Sequence, residues 1–380
     1  MANVKIIAVR SKEEEKIFFS LPYSIYANAP LWVPPLKIEE KALLNPNKHP
    51  FWAHATRQLF IAMRGDKAIG RIVAIDDDVY NNYANEKCGA WGFFECFNDK
   101  EAAHALFDAV ATWHKQRGLS FMRGPLNPST NYTCGMLVGG FNEKPTIMMP
   151  WNFSYYPELV ESYYMYKEQD LFSYDLHKDN INIPLWIREQ LQQIKKRNDF
   201  TYRQSCKATL EQDIRTMLEI FQEAWANNFA FSPGTLDEAS NHIKSLKTIL
   251  DPKLFVMFYY GDKPAGGMLA LPNVNPLLKE MNGNLDPRAI WYWYKLRKEI
   301  KSKYRMVLFG IKEEYRMLGL PLLLFNFIIE ISRDLPHFNT IEGSWTLEDN
   351  KKINDTLEDF GGIITKRYRI YRKELASLCL

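Results

Sequence analysis

The chain has 380 residues, 46% hydrophobic and 24% charged, with a net charge of +3. That length exceeds one ordinary hydrophobic core, and the proportions are those of a soluble globular protein of two domains. Basic residues are scattered rather than striped, which argues against a nucleic-acid partner, and no apolar run reaches the length of a membrane span. The N-terminus reads without an apolar signal region, so a cytoplasmic protein with no membrane partner is expected. The cysteines (Cys88, Cys96, Cys134, Cys206 and Cys379) are odd in number and widely spaced. Neither they nor the histidines show metal-ligand spacing, so no disulfide framework and no metal site are expected.

Taken in order, the elements repeat. Residues 59–75, LFIAMRGDKAIGRIVAI, form an apolar run, a Gly-Asp-Lys turn and a second apolar run, the pattern of a β-hairpin. A strand is expected over Ala90–Phe97, an amphipathic helix over Glu101–Gln116, a stop at Gly118 and a short strand over Leu119–Arg123. A turn-rich segment, Gly124–Phe141, interrupts the pattern. Next come Pro150–Tyr156, an aromatic helix over Tyr155–Tyr164 and a strand pair around Met165–Leu176. Ile183–Asn198 reads as a connecting helix. The hairpin then returns as LFVMFYYGDKPAGGMLAL, residues 254–271. A strand Met306–Ile311, a helix Pro321–Arg333 and a strand Thr340–Trp345 follow in the same order as before. Asn350 opens a helix Lys351–Phe360, which Gly361-Gly362 stops before a last strand, Ile363–Tyr371. Gly65 corresponds to Gly261 and Gly124 to Gly343, so the second copy holds an insertion of about twenty residues, placed in the Pro/Asn-rich stretch after Pro272. Strand–helix–strand with a short crossover predicts a parallel pair inside a mixed sheet. The basic cluster Lys366, Arg367, Arg369, Arg372 and Lys373 reads as a solvated strand face or, more sharply, as an anion-binding one.

The copies differ where a strand meets a helix. The second has KEEYRMLGLP, a glycine-bearing loop whose amides open a helix and can cradle an anion, with Lys312 and Arg316 adding charge. The first has NDKEAAHALF, where Asp99 and Glu101 suit a helix N-terminus but repel phosphate. The run Arg316-Met317-Leu318-Gly319-Leu320-Pro321 after a strand resembles the acyl-CoA-binding motif of the GNAT (GCN5-related N-acetyltransferase) superfamily. Asn350, Phe360 and Gly361 sit where that family has its next helix and stop. The resemblance covers about Thr201–Lys373 and reaches about Lys5–Leu176 through the repeat. It implies an α/β fold of mixed sheets in two tandem units. These are residues 1–178, a degenerate unit, and 200–380, which carries the acyl-CoA loop, joined by a connecting helix over 179–199. Pro321 departs from the motif, and Leu357 stands near where the family often has a tyrosine.

By that resemblance, Phe309, Gly310 and Ile311 would pair with the pantetheine arm. Arg316, Met317, Leu318, Gly319, Leu320 and Asn350 would complete the site for acetyl-CoA or another acyl-CoA. Glu342 could be a general base, or simply a strand carboxylate. Tyr371 and Tyr368 could be hydroxyl donors, or aromatic packing. Asn131, Tyr132, Trp151 and Asn152, on the long loop of the first copy, are candidates to line an acceptor pocket. Cys134 reads as a buried thiol. The function implied is an acyl-CoA-dependent N-acyltransferase, acetyl being the expected group, acting on a small-molecule or peptide amine. Two alternatives stay open: a non-catalytic binding protein that kept the fold, and a transferase using aminoacyl-tRNA.

Overall fold

A computed structural model describes residues 3–375 apart from Asn182, Asn198 and Lys247; Cys379 lies outside the described residues. The first half runs β1 (Val4–Ala8), α1 (Lys12–Ile25), α2 (Lys37–Leu43), β2 (Ala55–Arg64), β3 (Lys67–Asp77), α3 (Asp78–Ala84), β4 (Cys88–Cys96), α4 (Lys100–Lys115) and β5 (Phe121–Gly124). Three short strands follow, β6 (Leu126–Asn127), β7 (Thr133–Cys134) and β8 (Met136–Gly139), then α5 (Tyr156–Glu161) and β9 (Tyr166–His177). The second half runs α6 (Leu185–Arg197), β10 (Phe200–Gln204), α7 (Leu210–Trp225), α8 (Leu236–Leu246), β11 (Phe255–Tyr260), β12 (Lys263–Pro272), α9 (Asn275–Met281) and α10 (Ala289–Ile300). It ends with β13 (Lys303–Ile311), α11 (Glu313–Arg316), α12 (Leu320–Asp334), β14 (Thr340–Leu347), α13 (Lys351–Asp359) and β15 (Ile363–Glu374).

Both hairpins form as read. Arg64 faces Lys67 and Tyr260 faces Lys263 across two-residue Gly-Asp turns. Gly65 and Gly261 take φ of 60° and 55°, a left-handed conformation that costs glycine nothing. The insertion after Pro272 is the helical pair α9–α10. The expected strand pair at 165–176 is instead the single strand β9. The helix before it ends early, and Tyr164, with φ of 58°, turns the chain outward. Helices α1, α7 and α8 were not among the expected elements. Helix α1 is set by a capping box in which Ser11 Oγ accepts from the Glu14 amide at 3.2 Å and Glu14 Oε2 accepts from the Ser11 amide at 2.9 Å.

The strands form one mixed sheet in the order β1-β2-β3-β4-β5-β15-β9-β14-β13-β12-β11-β10, with β8 also beside β15. Only β4/β5 and β13/β14 pair in parallel among the described residues, each joined by a helical crossover. The last strand of each half is exchanged. β9, from the first half, pairs with β14, and β15, from the second, pairs with β5 and β8. β9 and β15 pair with each other and weld the halves into one sheet. Strand alternation divides the core of the second half between two faces. Val256, Phe258, Ala265, Met268 and Met306 pack under α12 and α6 on one face. Phe255, Met257, Leu269 and Leu271 pack under α7 and α10 on the other. The basic cluster on β15 is divided: Arg367 is exposed, as a solvated strand face requires, while others are paired with acids. Lys366 is buried on Glu342, Arg369 pairs with Asp170 at 2.8 Å and Arg372 with Glu168 at 3.2 Å.

Candidate active site

The parallel strands β13 and β14 stay together only from Lys303–Thr340 to Met306–Gly343. Beyond that, β13 follows β12 and β14 follows β9, so the two diverge. The register of β13 slips at Leu269/Ala270, which makes Val307 an extra residue. Val307 and Leu308 consequently both face the α7 side, while Met306 and Phe309 face the α12 side. This β-bulge bends β13 away from its neighbour where the gap opens. Trp225, at the end of α7, spans the gap. Its indole N–H donates to the Phe309 carbonyl at 3.3 Å and its ring meets Trp345 of β14 edge-on at 5.5 Å.

A cavity of about 1000 Å³ passes through this gap. On the α12 side it is lined by Met306, Leu322, Phe325 and Ile353. On the α7 side it is lined by Ile214, Met217, Leu218, Leu250, Phe255 and Leu269. At its far end it meets a polar group contributed by both halves, in which Tyr132 OH donates to Glu238 Oε2 at 2.9 Å. Behind them His54 joins Glu238 and Asp77, each at 3.0 Å. The hydrogen bonds to Asp77 and Glu238 raise the His54 pKa to about 10, against burial, so the ring is an imidazolium at neutral pH. Burial would push Glu238 up, but His54 and Tyr132 outweigh it and hold the carboxyl below its ordinary range. His242, whose ring lies 4.4 Å from that of Tyr132, is pushed down to about 4 by burial and stays neutral.

Of the residues expected to hold acyl-CoA, Phe309, Gly310, Ile311, Arg316, Met317 and Asn350 line the cavity; Leu318, Gly319 and Leu320 do not. Arg316, an exposed residue, donates to the carbonyls of Ile311 at 3.2 Å and Ala224 at 2.9 Å, and so fastens the loop to α7. Gly319 has φ of 93°, and a Cβ there would lie 2.3 Å from Ile194 Cδ1 of α6. Its missing side chain leaves room for Ile194 to pack against the loop. Asn350 caps α13, accepting from the Ile353 amide at 3.4 Å. Leu357 is buried against Gly343 and offers no hydroxyl.

Asn131 and Tyr132 line the cavity, carried there by a loop that crosses to the second half. Asn131 donates to the Ser232 carbonyl at 2.9 Å and Thr130 to that of Ala230 at 2.8 Å. Trp151 and Asn152 do not reach it. Asn152 is buried and clamps the backbone of Leu137, and the Trp151 indole donates to Phe141 O. Cys134 is buried and its thiol is pushed up to about 12 by burial.

Glu342 and Tyr371 also lie away from the cavity lining. Glu342 is fully buried, accepting from Thr146 Oγ1 at 2.7 Å, Ser344 Oγ at 2.8 Å and Lys366 Nζ at 2.9 Å. Burial pushes its pKa up, but Lys366 and Lys303 outweigh this and bring it down to about 2. A carboxylate so engaged is a poor base. It touches the cavity only through Ser344, which lines it and also accepts from Arg305 Nε at 2.9 Å. Tyr371 OH donates to Glu161 at 3.0 Å in the first half, and Tyr368 is buried in the core. The residues missed by sequence reasoning are Ser344, Glu238, His242 and His54. Only the helical period of α8, which puts Glu238 and His242 four residues apart on one face, could have paired any of them.

In the first half the equivalent gap is filled. β4 and β5 pair only from Cys88–Phe121 to Ala90–Arg123. The chain of β6 then crosses the opening so closely that a Cβ on Gly92 would lie 1.8 Å from the Leu126 carbonyl. The Phe93 amide donates to Asn127 Oδ1 at 2.6 Å. At the N-terminus of α4, Asp99 accepts from the Ala102 amide at 3.1 Å and, with Glu101, pairs with Arg64.

A bulged strand parting from its parallel neighbour at a strand–loop–helix turn, with a second, blocked copy alongside, defines a tandem GNAT acyltransferase fold. Solved structures share it. The tandem GNAT protein from the clavulanic acid biosynthesis pathway superimposes with a TM-score of 0.57 over 98% of this chain and 99% of that one, at 9% identity. A GCN5-related N-acetyltransferase from Anabaena variabilis gives 0.53 over 98% of this chain and 73% of that one, at 8% identity. No protein-family model matches the sequence. Among curated proteins, the bacterial ceramide synthase of Caulobacter vibrioides is 33% identical over 385 residues, 98% of each chain. Protein YghO of Escherichia coli is 28% identical over 372 residues, 96% of this chain and 94% of that one. The chain belongs to the bacterial ceramide synthase family.

Proposed function

We propose that the protein is an acyl-CoA-dependent N-acyltransferase that joins a long-chain acyl group to the amino group of a long-chain amino alcohol. The observation that carries this reading is the cavity. Its volume of about 1000 Å³ sits at the top of the range of about 300–1,000 Å³ for small-molecule sites. Its lining is mainly apolar on both sides of the gap, far more than an acetyl group needs. A ceramide is an N-acylated long-chain amino alcohol, so the relative's name agrees with two hydrocarbon chains meeting at one polar point.

The chain's own groups suit acyl-CoA as a substrate. The diverging edge of β13 offers Phe309–Ile311 to the pantetheine arm, and the first turn of α12 offers amides without an intrahelical acceptor, less the one removed by Pro321. Trp225 holds the Phe309 carbonyl that a pantetheine amide would take over. The acceptor's amine and hydroxyl would sit at the Asn131–Tyr132–Glu238–His242 end, and the proton that the amine loses would pass to water. The amine nitrogen attacks the thioester carbon, the C–N bond forms, the C–S bond breaks, and the thiolate takes up a proton. Backbone N–H groups at the Val307 bulge would polarise the carbonyl. Glu342 acts as a positioning residue that orients Ser344 and Arg305.

The test is a chain-length series of acyl-CoAs with sphinganine as acceptor, followed by thiol release and by mass spectrometry of the amide. Each methylene buried contributes about 0.8 kcal/mol, so kcat/KM should climb with chain length until the cavity is full. Turnover with acetyl-CoA equal to that with palmitoyl-CoA would sink the long-chain reading. Absence of thiol release and of amide with every donor would sink the transferase reading.

A further inference from the structure

The insertion that distinguishes the second half from the first, α9–α10, has no part in the site. On its outer side α10 and the turn before it expose Leu285 (64%), Ile290 (83%), Trp291 (57%) and Tyr294 (66%). Large apolar side chains this exposed, clustered on one short hairpin, mark an interaction surface. The stripe continues along the helix into exposed Lys295 and Lys298, with Lys301 at its end. Lys295 lies over the Trp291 ring at 5.1 Å and Arg297 over Tyr294 at 3.9 Å. Residues 275–301 hold six basic and three acidic side chains, an excess equal to that of the whole chain. Two of the acids are already matched, Asp286 by Arg288 at 2.7 Å and Glu299 by Lys144 at 3.6 Å. The inner face is anchored. Trp293, Leu296 and Ile300 pack into the same apolar cluster whose Ile214, Met217, Leu250 and Phe255 line the cavity.

From these observations we infer that α10 docks the protein on the surface of an anionic phospholipid bilayer, its tryptophan, tyrosine and isoleucine entering the headgroup region and its lysines meeting lipid phosphates. Tryptophan and tyrosine bracketed by lysine and arginine are the side chains that settle at a membrane–water boundary. The cationic excess selects an anionic surface over a neutral one. Among the described residues no helix is long and apolar enough to cross a membrane. Lying on a bilayer needs only one amphipathic face, so the sequence-based expectation of no membrane partner does not extend to this mode.

The experiment is co-sedimentation of the full chain with vesicles of phosphatidylcholine alone or mixed with phosphatidylglycerol, without substrate, so that it is read independently of acyl transfer. The expected result is binding to the mixed vesicles that weakens as salt rises, with little binding to phosphatidylcholine alone. The variant Ile290→Ser/Trp291→Ser/Tyr294→Ser and the variant Lys295→Gln/Lys298→Gln/Lys301→Gln should each lose at least about tenfold in partitioning. Both alter exposed positions and should keep the parent's circular dichroism and its turnover of a detergent-dispersed substrate. Failure of the parent to bind mixed vesicles would overturn the inference. So would binding by both variants equal to the parent's, or a face that instead holds a second copy of the chain, seen as a dimer that the apolar variant abolishes while vesicle binding persists.

Discussion

Two residues show how a local rule can be right in place and different in cause. Gly319 stands out in the sequence because a glycine before a helix suggests an anion cradle. Its φ of 93° does require glycine, but the space its missing Cβ leaves belongs to Ile194 of α6. Glu342 stands out as a strand carboxylate beside glycine. The charges of Lys366 and Lys303, which lie elsewhere in the chain, hold it ionised against its burial. Neither partner can be read from the local sequence. The same holds for His54, which lies 184 residues from Glu238 and ties the two halves together. Its pKa is raised from 6.5 to about 10, so the folded state prefers the protonated ring. That contribution is fully present below pH 6.5 and is lost as pH rises through about 10. The melting temperature should therefore fall between neutral pH and pH 10, and His54→Gln should flatten that fall. At neutral pH the variant should lose about 1.5–3 kcal/mol, the value of hydrogen bonds to a charged group. Thermal unfolding across pH for both proteins checks this, and parallel curves would show that His54 is not the group responsible.

Among the elements, what was legible is what repeats. The two Gly-Asp hairpins, the strand–helix–strand crossovers and the asparagine-capped α13 follow from period, turn chemistry and capping, all local signals. Helix α7 lies outside the repeated match and was missed, although Asp213, Met217 and Ile220 are buried at helical spacing along it. That helix, with α8, supplies the lobe of the cavity on which the long-chain reading rests. Leu218 lines the lobe without belonging to the buried core, so Leu218→Trp should fill space that an acyl chain would occupy. The preferred acyl-CoA should become shorter, with stability changed by no more than about 1–3 kcal/mol. Competition between donors of different length, read by mass spectrometry of the products, checks it. An unchanged preference would place the acyl chain in the other lobe, between α12 and α13.

At the scale of the molecule, the repeat predicts two units but not how they join. A strand's period of two residues says which face is buried and nothing about which neighbour it pairs with. Here β9 completes the second half's sheet and β15 the first half's, and their mutual ladder closes the seam. Without β15, the first half would expose the edges of β5 and β8 and the side chains that pack on Tyr368 and Ile370. Without β9, the second half would lose the partner of β14, and with it Leu176 and Tyr174 from its core. The polar end of the cavity is shared in the same way, Tyr132 and His54 from one half meeting Glu238 from the other. Residues 1–180 and 181–380 produced separately should therefore be aggregated or unfolded, since open, apolar strand edges recruit other chains. Produced together they should associate into a soluble pair, and the intact chain should unfold in one calorimetric transition rather than two. Two resolved transitions, or a folded and monomeric first fragment, would mean that the exchanged strands contribute little and that each half closes its own core.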